Sequence, residues 1–355
     1  MDFASGPVVR RIVALGWLLV IAALGAAEPA TVAMVTGHPR IVRDGRPLAR
    51  RVEPGFGLEN FDAIRTDGRT TLELTFDRPP GLDVVARVEP LSHLSIEVPA
   101  SFGDPVGVIR LIAGSVEVSV RDLPEGWAFQ VRSSAAVVHA RGSRFSVTLA
   151  ADGTMLVLAE AGVVEVRGPR GPTLYSRRGE AVEIDVDADH PRNLRFDAEP
   201  PAGFRRAWLD RRAELAAARA SELTRLRGQA YLAARDAFTA AYADVMGHRD
   251  TIDEWLDAAE RGVACTGRPG DEDHRLYESL GRAHASMADF EPLYAILDSL
   301  APDLGGDAAA IQIDHAHTAA DLIRMAANDR RLMDARFATV RHILKLSVAS
   351  AEAAP

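Results

Sequence analysis

The feature that most constrains the fold is a long series of short segments, between about residues 30 and 186, in which polar and apolar residues alternate. Alternation with a period of two is typical of half-buried β-strands. Glycines or Asp-Gly pairs separate the segments at intervals of about 8–12 residues, as in β-sandwiches, rolls and solenoids. The clearest segments are Thr70–Phe76, Leu94–Val98, Val108–Ile112, Val116–Val120 and Phe145–Leu149. No amphipathic run of helix length interrupts the series, so we predict an all-β unit and not a βαβ architecture.

The composition changes after a polar, proline-bearing segment, residues 189–201, which we interpret as a linker. Beyond it the chain is rich in alanine, and apolar residues recur at steps of three and four, the period of a helix. We predict helices at about 202–247, 251–261, 273–287, 290–300 and 308–348. The predicted class is α+β multidomain: an all-β domain over 28–188, either solenoid-like or a sandwich or roll, then an all-α bundle or long helical hairpin over 202–348. We expect a flexible tail at 349–355.

The N-terminus carries an export pattern. Arg10 and Arg11 precede an uncharged apolar run that ends in small residues at Ala27. This is the pattern of a secretory signal peptide, so residues 1–27 are predicted to be cleaved before Glu28. The run is shorter than the roughly 20 residues of a spanning helix, but an uncleaved anchor remains the alternative. We therefore expect the mature chain to be periplasmic or secreted, or else anchored in the inner membrane.

Composition and motifs exclude several classes of function. A net charge of −9 and an aromatic content of 6% disfavour a nucleic-acid partner. Cys265 is the only cysteine and Lys345 the only lysine, which excludes intrachain disulfides, cysteine-based metal sites and a P-loop lysine. His315 and His317 fall in a predicted helix, where their side chains would diverge and could not share a metal. We predict no catalytic residue, no cofactor and no metal.

The segment Phe204–Arg227 holds seven arginines and three acidic residues. We interpret it as a solvated helix face with ion pairs at helical spacing; a basic amphipathic helix can also lie on anionic lipid or polymer. The following stretch, Asp236–Glu260, is net acidic, so helices could pair by charge within one chain or between two, which leaves a homo-oligomer open. The pairs at helical spacing are Arg206/Asp210 and Arg219/Glu222.

Four motifs follow one another along the β unit. They are Gly55–Thr66 with its Asp-x-Ile-Arg-Thr core, the strand pair Ile109–Val118, the run Phe129–Val147 with Arg-Gly-Ser-x-Phe, and Ala161–Val166 after an Asp-Gly turn. Together, over about residues 30–186, they resemble the FecR domain family of bacterial extracytoplasmic proteins. The resemblance implies an all-β extracytoplasmic domain.

Nine residues carry this resemblance, and we interpret most of them as turn and core determinants. Asp62 and Thr66 can bond backbone groups in their own turn. Ile64 and Phe145 are predicted core positions, and Gly142 suits a positive φ or a close approach of two backbones. The nine residues are Asp62, Ile64, Arg65, Thr66, Gly114, Arg141, Gly142, Phe145 and Gly162.

Arg65 and Arg141 are the best candidates for ligand contact, because a guanidinium group pairs with planar anions; a structural salt bridge is the expected role for both. The sequence also departs from the family pattern. Phe61 and Asp67 stand where the family usually has glycine, and Ser143 where it has threonine. These departures bear more on a specific ligand than on the fold.

The predicted function is that of an exported, non-enzymatic binding or scaffold protein of the bacterial envelope, in contact with an envelope protein or with peptidoglycan or another glycan. Related FecR-type members relay signals to a cytoplasmic anti-sigma element, and a membrane-anchored regulator is the first alternative. Only eleven residues precede the apolar run, which is too short for a cytoplasmic domain. An envelope hydrolase is the second alternative; it would need two carboxylates about 5–9.5 Å apart in a cleft.

Overall fold

A computed structural model describes residues 28–77, 82–97, 107–121, 123–169, 171–185, 191–196, 200–261 and 271–352 of the chain. The predicted signal peptide and Cys265 lie outside these residues. None of the helices within the described ranges combines the length and apolarity that crossing a membrane requires.

The N-terminal part is built from strands, and its described residues contain no helix, which confirms the all-β prediction. The last strand, β17, lies in the segment predicted as a linker. In chain order the strands are β1 Ala30–Thr36, β2 Arg40–Arg43, β3 Arg46–Pro47, β4 Gly57–Leu58, β5 Ala63–Arg65, β6 Thr71–Phe76, β7 Val84–Val88, β8 His93–Glu97, β9 Gly107–Val120, β10 Phe129–Arg132, β11 Val137–Ala140, β12 Ser143–Leu149, β13 Met155–Ala161, β14 Val163–Arg167, β15 Leu174–Arg177, β16 Glu180–Ile184 and β17 Arg192–Arg195.

Strand β9 joins two sections of sheet. Its first half pairs with β8 and β10, and its second half pairs with β7 and β12. The first section has the order β3-β2-β5-β8-β9-β10-β11-β14-β15, and the second has the order β4-β1-β6-β7-β9-β12-β13-β16-β17. Both sections contribute to one apolar core, in which Phe76 and Phe129 meet edge to face at 5.1 Å. The sheet is not closed into a barrel.

The predicted break within β9 is wrong. The sequence analysis placed two strands, Val108–Ile112 and Val116–Val120, whereas the structure has one strand that bends at Gly114, where φ is +84°. Gly114 still pairs with Leu149 of β12, so the ladder continues through the bend. Only glycine adopts this backbone without strain, so the residue acts as a bend and not as a terminator.

The described residues of the C-terminal part contain five α-helices. They are α1 Pro201–Ala218, α2 Ala220–Met246, α3 Arg249–Glu260, α4 Asp271–Leu300 and α5 Ala319–Glu352, and a 3₁₀ segment covers Ala301–Ala309. Helices α2, α4 and α5 share a core around Phe238, Phe290 and Phe337, and the rings of Phe238 and Phe337 lie 4.8 Å apart. The single long helix predicted for 202–247 is broken at Arg219 between α1 and α2.

Two helices predicted at 273–287 and 290–300 form the single helix α4, although Pro292 lies inside it. A proline removes one backbone hydrogen bond and normally kinks or breaks a helix. Met287, Phe290 and Leu297 are buried on both sides of the proline and belong to one core. Packing of this continuous apolar stripe compensates for the lost hydrogen bond.

Helix α5 begins at Ala319, eleven residues after its predicted start near 308. Thr318 and Asp321 exchange backbone-to-side-chain hydrogen bonds of 3.1 and 3.2 Å, the arrangement of a capping box. His315 and His317 therefore lie in the loop before the helix, contrary to prediction, and His317 Nδ1 lies 3.0 Å from Asp314 Oδ1. Among the described residues no three histidine, cysteine or acidic side chains are grouped to hold a metal.

Replacement of Gly114 by alanine tests the bend in β9. A Cβ at this position would lie 2.6 Å from Ser92 Cα, whereas a Cβ at Gly126, where φ is +89°, would meet no atom within 4 Å. Both replacements incur the left-handed backbone penalty of about 1–2 kcal/mol, but only Gly114→Ala adds a steric clash, of about 1–3 kcal/mol. We expect urea denaturation to show the larger loss for Gly114→Ala; equal losses would contradict the close contact at the bend.

Candidate functional site

Three basic residues form one row across strands β2, β5 and β8. Arg40 lies directly opposite Arg65, and Arg65 lies directly opposite His93. The residues next to them on each strand are buried in the apolar core, so the row lies on the outer face of the sheet. Like charges that face each other across antiparallel strands are destabilising. The charges of the facing arginines therefore require negative groups from outside the sheet.

Helices α4 and α5 cover this row and enclose a cavity of about 120 Å³, which we call the junction cavity. The helical residues that line it follow helical spacing on α5, with one further residue from α4. The sheet contributes the basic row, the wall residue Phe61 and the β2–β3 turn. The lining residues used below are Arg40, Asp44, Phe61, Arg65, His93, Glu291, Asp334, Phe337, Ala338 and Arg341.

The donors in the junction cavity are incompletely paired. Arg341 forms an ion pair with Glu291, but its Nε is buried and has no hydrogen-bond partner. His93 Nε2 is also buried without a hydrogen-bond partner and lies 3.9 Å from Glu291 Oε1. Within the described part of the chain, Arg65 has no carboxylate within ion-pair distance. The cavity thus presents N–H groups without acceptors.

Burial lowers the pKa of two groups in the cavity. It lowers the pKa of Arg65, an effect that the carboxylate of Asp334 opposes. Burial, and then the guanidinium groups of Arg65 and Arg341, hold the pKa of His93 well below its usual range. His93 is therefore a neutral ring at physiological pH, and it can donate one N–H without adding a charge.

Phe61 holds a strained backbone in the cavity wall. Its φ is +66°, a conformation that costs a residue with a side chain about 1–2 kcal/mol. The ring meets His284 of α4 edge to face at 6.0 Å. Phe61 thus places an aromatic ring at the junction between sheet and helix.

A second ionic cluster fixes the end of α5 to the turns of the β unit. Lys345 binds Glu59 and lies 3.7 Å from Asp44. Arg43 donates to Asp62 at 2.7 and 3.0 Å and also binds Glu59. Asp62 in turn accepts the backbone N–H of Glu59 at 2.9 Å. Asp62 thus accepts a hydrogen bond within its own turn, as the sequence pattern suggested. Through Arg43 it also belongs to the ionic cluster that binds Lys345 of α5.

A third cluster, the Glu97 cluster, joins α4 to strands β8 and β9. Glu97 accepts hydrogen bonds from Arg110 at 2.6 and 3.1 Å, and His284 Nε2 lies 3.4 Å from its Oε1. Burial opposes the charged form of Glu97, but the contacts with His284 and Arg110 outweigh it and hold the pKa of this carboxyl well below its usual range. The Glu97 cluster is therefore anionic at its centre and cationic around it.

The basic segment Phe204–Arg227 docks on the sheet through three of its arginines. Arg205 lies 2.8 Å from Glu117, and Arg212 binds Asp152. Arg227 donates to the carbonyl oxygen of Asp152 at 3.0 Å. Arg212 and Arg227 are buried and Arg205 is half-buried, so these three arginines are engaged by the β unit. Of the two ion pairs predicted within the segment, Arg219 and Glu222 meet at 3.0 Å.

The other signature residues are distributed through the β unit. Ile64 and Phe145 are fully buried in the core. Thr66 Oγ1 donates to the carbonyl of Glu89 at 2.8 Å and accepts the N–H of Ser92 at 2.8 Å, so it links two turns. These contacts are structural.

The glycine with a positive φ in this region is Gly162, which lies opposite Gly142. Gly162 has a φ of +75°, and a Cβ on it would lie 2.4 Å from the carbonyl oxygen of Gly142. Of the two alternatives predicted for Gly142, the structure therefore shows the close approach. Arg141 is exposed, remote from the junction cavity lining.

Arg65 is thus the one signature residue that lines the cavity, and sequence reasoning missed its companions. Arg40, His93, Glu291 and Arg341 belong to no motif. Arg40 and His93, like Arg65, each lie at one end of a short strand. Without the strand register, this position did not indicate that the three side chains face one another.

Comparison with known proteins adds little. No family model matches the chain, and no curated protein matches it. Two crystal structures of a candidate anti-sigma factor from Parabacteroides distasonis ATCC 8503 align with 38% of this chain and 60% of theirs, so less than two thirds of that protein is matched. The identities are 21% and 22%, and the TM-scores are 0.32 and 0.31. We draw no conclusion on function from a similarity this distant.

Replacement of Arg212 by methionine tests the docking of α1. The change leaves Asp152, which is 2% exposed, without its guanidinium partner. Loss of one member of a buried ion pair costs about 3–5 kcal/mol. Arg211 is the exposed neighbour, so Arg211→Met should change the free energy of unfolding by less than about 0.5 kcal/mol. Equal effects of the two replacements in urea denaturation would show that the Arg212 contact is unimportant.

Replacement of Glu97 by glutamine tests the Glu97 cluster through its pH dependence. Because the folded-state pKa is lowered, the cluster's contribution is complete above the unfolded pKa of about 4.3 and is lost as the pH falls further. Glu97→Gln should lower the free energy of unfolding at pH 7 by about 3 kcal/mol and flatten its decline between pH 5 and 3. Urea denaturation across this range measures both effects. Glu125→Gln, an exposed control, should keep the wild-type profile; an unchanged slope in Glu97→Gln would refute the assignment.

Proposed function

We propose that this chain is an exported, non-enzymatic binding protein of the bacterial envelope, and that its FecR-like β unit and docked helices act as one binding body. The observation that supports the proposal is the junction cavity, where Arg65 has no carboxylate within ion-pair distance among the described residues and the buried Arg341 Nε and His93 Nε2 have no hydrogen-bond partner. Ligand sites are typically concave, largely apolar and furnished with a few convergent polar groups. Half of the residues that line the junction cavity are ionisable, so it is more polar than such sites and suits a charged or polar ligand.

The arrangement of the two cavity carboxylates favours binding over hydrolysis. Glu291 and Asp334 both line the cavity, but Glu291 is held by Arg341. A hydrolytic dyad uses two carboxylates that both reach the substrate. Because Glu291 is engaged by Arg341 within the protein, we favour binding.

The ligand in this proposal is a component of the envelope, a cell-wall glycan or a protein, because the N-terminal pattern predicts export. If residues 1–27 are removed, the chain acts as a soluble binding protein; if they are retained, it acts as an anchored regulator of the FecR type. N-terminal sequencing of the exported protein distinguishes the two forms: a start near Glu28 supports the first and a retained Arg10 supports the second.

Retention on envelope components tests the proposal. We expect the exported protein, at micromolar concentration, to co-sediment with purified peptidoglycan sacculi or with detergent-solubilised envelope. Arg65→Gln should weaken retention about tenfold or more, because a hydrogen bond to a charged group contributes about 1.5–3 kcal/mol. Arg141→Gln, which removes an exposed signature arginine outside the cavity, should leave it unchanged.

No retention of the wild-type protein by either material, or identical retention of the two variants, would contradict a binding role for the junction cavity.

A further inference from the structure

We infer that the junction cavity recognises one carboxylate group. This inference rests on the proposed binding function and names the chemical group that the cavity would take. Its basis is the balance of charge around the cavity, the set of unpaired donors and the size of the space.

Part of the charge around the cavity is cancelled within the protein. Arg341 pairs with Glu291. On the sheet side, Asp44 lies 3.3 Å from His342 and 3.7 Å from Lys345, and the contact with His342 contributes most to a lowered pKa of Asp44. These groups are therefore engaged within the protein, and Lys345 is shared between Asp44 and Glu59.

Three charged groups line the cavity without an ion pair in the described part of the chain: Arg40 and Arg65 of the sheet and Asp334 of α5. Arg40 and Arg65 face each other across β2 and β5. Asp334 stabilises the charge on Arg65 but lies beyond ion-pair distance of it. A monoanion placed between the two arginines would reduce the repulsion between their like charges.

The unpaired donors match the acceptor capacity of a carboxylate. A guanidinium presents N–H groups in a planar fork that fits the two oxygens of a carboxylate. Arg65 supplies such a fork, and His93 Nε2 and Arg341 Nε are buried groups that lack partners. A carboxylate can accept about four hydrogen bonds, enough to satisfy all three residues.

The size and charge of the cavity disfavour larger or more highly charged anions. Its volume of about 120 Å³ is close to the roughly 150 Å³ of a protein cavity that binds benzene, so the space suits a ligand of a few heavy atoms. The aromatic rings of Phe61 and Phe337 and the methyl group of Ala338 form an apolar part of the wall. A phosphate dianion would bring a second negative charge close to Asp334, so a carboxylate with a short apolar group fits best.

Thermal unfolding in the presence of propionate tests the inference. With the protein expressed from its full sequence, at pH 7 and constant ionic strength, we expect propionate to raise Tm by about 2 °C or more at saturating concentration. Propionamide, which has the same shape without the charge, and sodium chloride should have no such effect. Equal shifts from propionate and propionamide, or a larger shift from phosphate, would overturn the carboxylate assignment.

Charge variants make the test specific. Arg65→Gln should abolish the propionate shift, and Arg141→Gln should retain it. Asp334→Asn should strengthen propionate binding and allow phosphate to bind, because it removes the cavity carboxylate that no ion pair holds. If Arg65→Gln does not fold by circular dichroism, Arg65→Lys serves instead; it keeps the charge but loses the fork, so we expect about tenfold weaker binding. Unchanged propionate binding in Arg65→Gln or Arg65→Lys, or weaker binding in Asp334→Asn, would refute the inference.

Two further measurements distinguish the source of the carboxylate and separate this inference from the proposed function. Tighter binding of N-acetylalanine than of propionate identifies a peptide end group, and the reverse identifies a small free acid; both support a carboxylate site. Retention on envelope without any propionate effect overturns the carboxylate inference alone. A propionate effect without envelope retention overturns the envelope-binding function alone.

Discussion

The structure depends on the complementarity of charge between the outer face of the sheet and the helices that cover it. An antiparallel sheet can leave one face in water, but here α1, α4 and α5 bury much of that face. Several charges of the sheet meet an opposite charge from a helix, as in Asp152 with Arg212 and Glu59 with Lys345. Buried ion pairs contribute little net stability because of their desolvation, but a mismatched pair is costly. Such contacts therefore specify one orientation of the helices on the sheet.

The junction cavity is the place where this complementarity is incomplete. Arg40, Arg65 and His93 form a row of basic groups in register, and α4 and α5 supply fewer negative charges than the row requires. The neighbouring turn contains Phe61 in a left-handed conformation. Local departures from favourable pairing and backbone geometry concentrate at functional sites, where the surrounding structure compensates for them. The same features that lower stability here create the binding capacity that we propose.

The cavity belongs to neither part of the chain alone. The sheet provides Arg65 and His93, and the helices provide Glu291, Asp334 and Arg341, so the cavity exists only while the helices are docked. A ligand that binds this state stabilises the docked arrangement by mass action. The helical part, whose sequence suggested no role, thus supplies one wall of the cavity that we propose as a binding site.

Local patterns in the sequence were sufficient to predict the strands, the helical character of the C-terminal part and the Asp44-Gly45 turn, where both φ angles are positive. Strand alternation, helical periodicity and turn chemistry act over a few residues, so a single sequence contains them. The continuous helix through Pro292 and the bent β9 were missed because packing at a distance overrode the local signals. The cavity could not be predicted, since the facing of Arg65 with His93 depends on strand register and Arg341 comes from a helix far along the chain. The sequence by itself determined the elements and their order; only the tertiary structure decided which charges meet, because electrostatic pairing acts through space and not along the chain.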